Sequence, residues 1–241
     1  MNTIAIMQPY FFPYIGYFQL MHKSDVWIIF DNVQFIDKGW INRNRILHPA
    51  IEKEWQYITV PLSKRTQFSK ICDIKIKNSE NWKNNIFGKL SFYKKKAPHY
   101  NETINFLREC FSVEHDNLSF FLTHSLKMTA QLLDIDSEIQ VQSHLGIPKK
   151  DAIHPGQWAL NISKELNAKE YVNPLGGAEI FQPDEFTKSK IKLSFLEPDI
   201  DNYKQANRSF VPGLSIIDVM MWNDIDEIKE FVKKGNLIKA N

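Results

Sequence analysis

The chain has 241 residues with 30 Lys and Arg against 28 Asp and Glu, 43% hydrophobic residues and 11 Pro beside 9 Gly, a composition that excludes disordered and collagen-like classes. Two isolated cysteines, Cys72 and Cys110, form no CxxC and belong to no Cys/His cluster, so neither a disulfide framework nor a zinc site is expected. No apolar run of about 18 residues occurs and the N-terminus carries no signal-peptide pattern, so a cytoplasmic protein without a membrane span is expected.

The net charge of +2 conceals an uneven distribution, because Lys64–Lys96 holds ten basic residues and only two acids, leaving that stretch at +8 and the remainder at −6. Such a stretch attracts phosphate-rich partners, or it is the wet face of a strand in which Lys75 and Lys77 alternate with Ile74 and Ile76.

In chain order, Ile4 to Met7 and Val26 to Phe30 are apolar runs too continuous for a one-sided sheet and read as buried strands. The connector from Pro9 to Asp25 turns around Pro9 and Pro13 and becomes helix-compatible from Ile15 to Met21, long enough for a parallel crossover. Ile46 to Leu47, Trp55 to Val60 and Ile71 to Ile76 read as further strands broken by Pro49 and Pro61. Helices follow through Trp82, Ile86, Leu90 and Tyr93, then at Thr103 to Phe111 and Leu118 to Leu133. Beyond Gly146-Ile147-Pro148 the pattern predicts a helix from Pro155 to Leu166, a strand at Tyr171 and Val172, a Gly176-Gly177 turn and a strand through Ile191, Leu193 and Phe195. The tail from Ile225 to Ile238 reads as an amphipathic helix with a Gly235-Asn236 stop. The expected fold is α/β, a Rossmann-like core with a mixed, partly parallel sheet, in one domain over 1–241 with a helical subdomain around 79–135.

Open α/β sheets place ligands at the carboxyl ends of parallel strands. Those ends here are Gln8 and Asp31, followed by Asn32, Gln34, Asn42, Arg43, Asn44 and Arg45. Asp31-Asn32 also fits a local turn after a strand. If Asn42 to Leu47 is a strand, Arg43 and Arg45 share one face, and a guanidinium suits bidentate phosphate or carboxylate recognition; a ligand-free surface strand explains the doublet as well. Tyr10, Tyr14 and Tyr17 present ring faces with polar tips suited to stacking on a base or sugar, while the neighbouring phenylalanines fit core packing. Gly16 sits where a helix can begin close to a ligand. Ser215 and Asp218 have capping-box spacing, and the same helix start is a natural anion site, with Asn223 at its end. Phosphate-loop, dinucleotide-fold, serine-hydrolase and zinc-protease motifs are absent. The seven histidines show no metal spacing, so no metal or cofactor is expected. The layout is similar to nucleotidylyltransferases carrying H-x-G-H at this place, but Tyr14-Ile15-Gly16-Tyr17 keeps only the glycine.

The ordered segments IAIMQPYFFPYIGYFQLM, SDVWIIFDNVQF, WINRNRI, ITVPL, YKKKAPHY and LSIIDVMMWN resemble the WbqC-like family from Ile4 to Asn223. Gln8, Pro9, Pro13, Tyr14, Gly16, Tyr17, Asp31, Gln34, Asn42, Arg43, Asn44, Pro98, Ser215, Asp218 and Asn223 fall in its motifs. The resemblance implies a bacterial protein encoded among genes for O-antigen, lipopolysaccharide and other surface polysaccharides, acting as a glycyl or other aminoacyl transferase on an amino sugar. The expected function is therefore acyl or aminoacyl transfer to the amine of a nucleotide-linked amino-deoxy sugar. Asp31 would be the base, Asn44 or Gln8 polarising donors, and Arg43 the diphosphate ligand; Asn42, Tyr14, Gly16, Tyr17, Gln34, Ser215 and Asp218 would complete the substrate site. The Lys-rich stretch would hold a phosphate-rich donor such as an aminoacyl-tRNA. The alternatives are a nucleotidylyltransferase-like enzyme and a non-catalytic sugar-nucleotide or glycan binding module.

Overall fold

In β1 (Thr3–Met7) and β2 (Val26–Ile29) the side chains alternate between two buried faces. Ile4, Ile6 and Ile28 enter one core, and Ala5, Trp27 and Ile29 the other. The strands pair in parallel, Ile4 opposite Val26 and Met7 opposite Ile29, with α1 (Ile15–His22) as the crossover. The structure, a computed structural model, describes residues 2–147 and 152–240.

The main sheet adds β5 (Glu138–Val141), β6 (Glu170–Pro174), β7 (Lys192–Glu197) and β8 (Asn236–Lys239) in the order β5-β2-β1-β6-β7-β8. Every pairing is parallel except β7 with β8, so the sheet is mixed and the fold is Rossmann-like α/β. From β1 the chain winds outward through β2 to β5, and from β6 it winds the other way through β7 to β8. Between β1 and β6 the direction of winding reverses, which is where such sheets leave a crevice.

The long excursion between β2 and β5 contains the hairpin β3 (Arg43–Leu47) with β4 (Trp55–Thr59), then α2 (Trp82–Leu90), α3 (Tyr100–Ser112) and α4 (Leu118–Leu132). The helical stretch is thus where the periodicity put it. Ile71 to Ile76 is not a strand: Ile71–Asp73 is a 3-10 turn. Its amides bond to two separate segments, Ile71 N to Val33 O and Cys72 N to Asp31 O on one and Ile76 N to Asp116 O on the other, so the chain bends where a ladder would have to run straight.

α5 (Gly156–Glu165) and α6 (Pro183–Lys188) cover one face of the sheet through Leu160, Ile162 and Phe186. α7 (Ile216–Trp222) and α8 (Ile225–Lys233) close the other with α1. The C-terminal helix stops at Lys233 rather than continuing to Ile238, because Gly235 at φ +93° turns the chain back into β8. A capping box does occur, but on α8: Asp224 accepts from Glu227 N at 2.9 Å and Glu227 accepts from Asp224 N at 3.2 Å. At α7 Ser215 accepts from Ile217 N at 3.2 Å, while the Asp218 carboxylate faces Tyr93, Tyr203 and Gln205, so the reciprocal half is missing. Among the described residues no helix is long and apolar enough to cross a membrane.

Candidate functional site

After β1 the chain makes the loop Gln8–Tyr14, whose backbone is held from several sides. Phe11 N donates to Trp40 O at 3.0 Å, and Asn44 Nδ2 donates to both Phe11 O and Phe12 O at 3.0 Å. Ser215 Oγ donates to Phe12 O at 2.7 Å and Ile216 N to Pro13 O at 2.9 Å. These bonds pin Phe12 at φ 41°, a left-handed conformation costing a non-glycine residue roughly 1–2 kcal/mol. Phe11 and Phe12 are thereby buried, and the loop turns Tyr10, Pro13 and Tyr14 outward into a cleft.

That cleft, of about 470 Å³, opens between the carboxyl ends of β1 and β6. Met7, Tyr10, Pro13 and Tyr14 form one wall, Trp40, Asn44 and Arg45 a second, and Asn173, Pro174, Gly177 and Gly213 the third. Three glycines make room for its polar side chains. A Cβ on Gly16 would stand 2.5 Å from the Tyr14 ring, one on Gly177 2.6 Å from Asn173 Nδ2, and one on Gly213 3.3 Å from Arg45 Nη2.

Arg45 is the cation of the site. Its Cζ lies 5.1 Å from the ring centroids of both Trp40 and Trp55, and Nη2 donates to Gly213 O at 3.2 Å. The Nε atom is buried without a partner, and no carboxylate pairs with Arg45 among the described residues. Burial raises the phenol pKa values of Tyr10 and Tyr14, so both hydroxyls stay protonated near neutrality and donate. The cleft therefore offers ring faces, two phenol donors and a fixed guanidinium, a combination for a ring-bearing anionic ligand. Among the described residues no His, Lys, Asp, Glu or Cys lines it. Nor is a thiolate at hand: burial pushes the Cys72 thiol up to about 11 and the Cys110 thiol up to about 12.

The candidates drawn from sequence divide into three groups. Tyr14 and Asn44 line the cleft, with Gly16 directly behind the Tyr14 ring. Ser215, Asn44 and Tyr17 hold the loop, Tyr17 OH donating to Gln8 O at 3.0 Å from a fully packed position; Gln8 contributes that backbone carbonyl. Asp31, Gln34, Asn42, Arg43 and Asp218 lie outside it. Asp31 is 1% exposed, and its carboxylate accepts from Ser119 Oγ at 2.8 Å, Ser143 N at 3.0 Å and Ser143 Oγ at 2.8 Å, tying α4 and the turn after β5 to the end of β2. Gln34 Nε2 donates to Gln67 O and Asn42 Nδ2 to Val60 O, both at 2.9 Å.

Arg43 and Arg45 do share a face of β3, yet Arg43 packs 4.1 Å over Tyr57 and donates to the carbonyls of Lys38 and Gly39. Only Arg45 reaches the cleft. Asp218 is fully buried; desolvation lifts its pKa to about 6 against the opposing hydrogen bonds of Tyr93 and Tyr203. Asn173 and Gly213 carried no sequence signal, since their contribution depends on β6 and the segment before α7 meeting β1; Trp40 begins the segment WINRNRI and Gly177 lies in the expected Gly176-Gly177 turn, which is a 3-10 helix over Leu175–Ile180, but neither was expected at the site.

A protein of Mycobacterium tuberculosis (strain ATCC 25618 / H37Rv), the uncharacterized protein Rv1507c, is similar to this chain, with 26% identity over 224 residues covering 91% of this chain and 93% of its own length. No solved structure matches. The sequence profile of the WbqC-like protein family matches residues 8–230, a span that takes in the clamped loop, the β3 wall, β6 and the helix start at Ser215. The chain belongs to the WbqC-like protein family.

Proposed function

We propose that the switch-point cleft holds a nucleotide-linked amino sugar and that the protein transfers an acyl or aminoacyl group, glycyl among them, to the sugar amine in surface-polysaccharide synthesis. The observation that carries this reading is the cleft itself: Tyr10, Tyr14 and Trp40 supply ring faces and hydroxyl donors, and Arg45 is held against two indoles with no acid opposite it among the described residues. A guanidinium so placed suits a diphosphate, and the aromatic walls suit a base or sugar ring.

In the reaction the sugar nitrogen attacks the acyl carbonyl of an activated ester donor such as an aminoacyl-tRNA. The C–N bond forms, the donor C–O bond breaks, and the nitrogen proton passes to the leaving alkoxide or solvent. With Asp31 hydrogen-bonded outside the cleft and no acid or imidazole in the lining among the described residues, rate enhancement rests on orientation and on phenol and amide donors facing the oxyanion. Incubating the protein with an amino-sugar nucleotide and aminoacyl-tRNA, with detection by mass spectrometry, is expected to give the N-acylated sugar. Arg45→Ala is expected to lower the yield about tenfold or more. A product formed equally by Arg45→Ala would refute the assignment.

The absence of carboxylates and imidazoles from the lining among the described residues favours a second reading, a non-turning-over sugar-nucleotide receptor. It predicts binding with the same Arg45 dependence and no acylated product.

A further inference from the structure

A second concave surface lies on the far side of the Asp218 network. The turn Ser91–Lys95 and the following Lys96 meet the segment between β7 and α7, and together Lys95, Lys96, Lys204, Asn207, Arg208 and Trp222 line a cleft of about 450 Å³ that shares no residue with the switch-point cleft. The rest of the Lys64–Lys96 stretch is largely engaged elsewhere. Arg65 pairs with Asp37, Lys75 with Asp116 at 3.0 Å and Lys77 with Glu80 at 2.9 Å, while Lys83 and Lys89 donate to the carbonyls of Phe111 and Tyr57, each at 2.6 Å.

The four cations of this cleft make no ion pair among the described residues, and no acid lines it. Two of them crowd one ring: Lys96 Nζ lies 4.3 Å from the centroid of Phe92 and Arg208 Cζ 5.8 Å from the same centroid. Arg208 Nε and Nη1 are shut off from solvent without finding an acceptor among the described residues. A partly desolvated guanidinium beside three ammonium groups is unfavourable by itself, since it gives up hydration and meets only like charge. An oxyanion turns the same arrangement into charge-assisted hydrogen bonds.

The frame that presents these charges is rigid. Tyr93, immediately before the lysine run, donates to Asp218 Oδ1 at 2.5 Å. Tyr203 and Gln205, on either side of Lys204, donate to Asp218 Oδ2 at 2.7 and 3.2 Å. Gln205 is also locked to Val211, accepting from its N–H at 2.7 Å and donating to its carbonyl at 3.0 Å. One buried carboxylate thus sets both walls, so little ordering is left for a ligand to impose.

We propose that this cleft is a second ligand site, taking a compound with two or more phosphate groups, either a free nucleotide or a stretch of RNA backbone. Several cations converging with an arginine fork call for a density of negative charge that a single carboxylate does not supply. The site stands independently of acyl transfer.

Titration calorimetry of the full chain with inorganic pyrophosphate at low ionic strength tests it. One site that needs the cations of this cleft is expected. Its affinity should fall about tenfold or more in the Lys204→Ala, Arg208→Ala double variant and remain unchanged in Lys75→Ala, whose ammonium pairs with Asp116 outside both clefts. Circular dichroism checks folding of the double variant, and Lys96→Ala, at an exposed position, provides a second variant expected to weaken binding in the same direction. Displacement of pyrophosphate by deacylated tRNA would uphold the site and assign it to RNA backbone; displacement by a nucleoside diphosphate alone would uphold it for free nucleotides. A folded wild-type chain that binds no pyrophosphate, or equal affinity in folded charge variants, would overturn the proposal.

Discussion

Asp218 shows how one side chain links the two clefts. It is fully buried, receives hydrogen bonds from Tyr93, Tyr203 and Gln205, and so fixes the lysine turn and the segment that runs on to Gly213 beside Arg45. Burial outweighs those bonds and lifts its pKa to about 6 from the ordinary value of 3.8. Between those two values the native state binds more protons than the unfolded chain, so the contribution of Asp218 to stability falls as pH rises from about 4 to about 6, by roughly 3 kcal/mol. Comparing urea midpoints of wild type and Asp218→Asn across that range should show a relative loss in the wild type that levels off above about pH 6. Parallel pH profiles would show that Asp218 is charged at no such cost. The site residues were only half legible in sequence for a related reason. The Arg43 and Arg45 doublet was visible, but the arginine that meets the switch-point cleft is held there by Gly213, which is far along the chain. Likewise Asp31 follows a parallel strand as a ligand-binding acid would, yet Ser119 and Ser143 saturate it from distant segments.

At the scale of elements, two helix-start glycines make opposite predictions. In α1 a Cβ at Gly16 would meet the tip of the Tyr14 ring, at 2.5 Å from Cε2 and 2.8 Å from the hydroxyl, and a partly exposed ring can swing away. In α5 a Cβ at Gly156 would stand 2.4 Å from Ile180 O, which is backbone and cannot. Gly16→Ala should therefore hold its melting temperature within a few degrees, because alanine favours the helix by about 0.5–1 kcal/mol, while displacing Tyr14 from the cleft. Gly156→Ala should lose about 1–3 kcal/mol. Thermal unfolding of both variants measures this, and equal losses would mean that Tyr14 is as immobile as the Ile180 backbone. The elements that the sequence revealed are β1 to β4, α1 to α5, β6, β7 and the helices α7 and α8, whose apolar patterns or caps mark them. β5, α6 and β8 went unseen because they lack a continuous apolar run. β5 and β8 are also edge strands, half-buried at best and wholly exposed in β8, so no alternation marks them. The Ile71 to Ile76 run shows the opposite failure, since its apolar spacing suits a strand while its amides are taken by three different partners.

For the whole molecule, the decisive feature is the reversal of winding between β1 and β6. A parallel sheet could be anticipated from two continuous apolar strands joined by a crossover. The side of β1 on which the crevice opens could not, because it depends on β6 pairing Thr3 with Glu170 and Ala5 with Val172 across most of the chain. Sequence reasoning looked toward β2 and Asp31; the cleft lies toward β6, Asn173 and Arg45. The most direct measurement is a thermal-shift titration of wild type, Arg45→Ala and Arg43→Ala with amino-sugar nucleotides, since a ligand selective for the native state raises its apparent stability. Stabilisation kept in Arg43→Ala and largely lost in Arg45→Ala is the expected result. Stabilisation that survives Arg45→Ala, or vanishes with Arg43→Ala alone, would place the ligand outside the switch-point cleft.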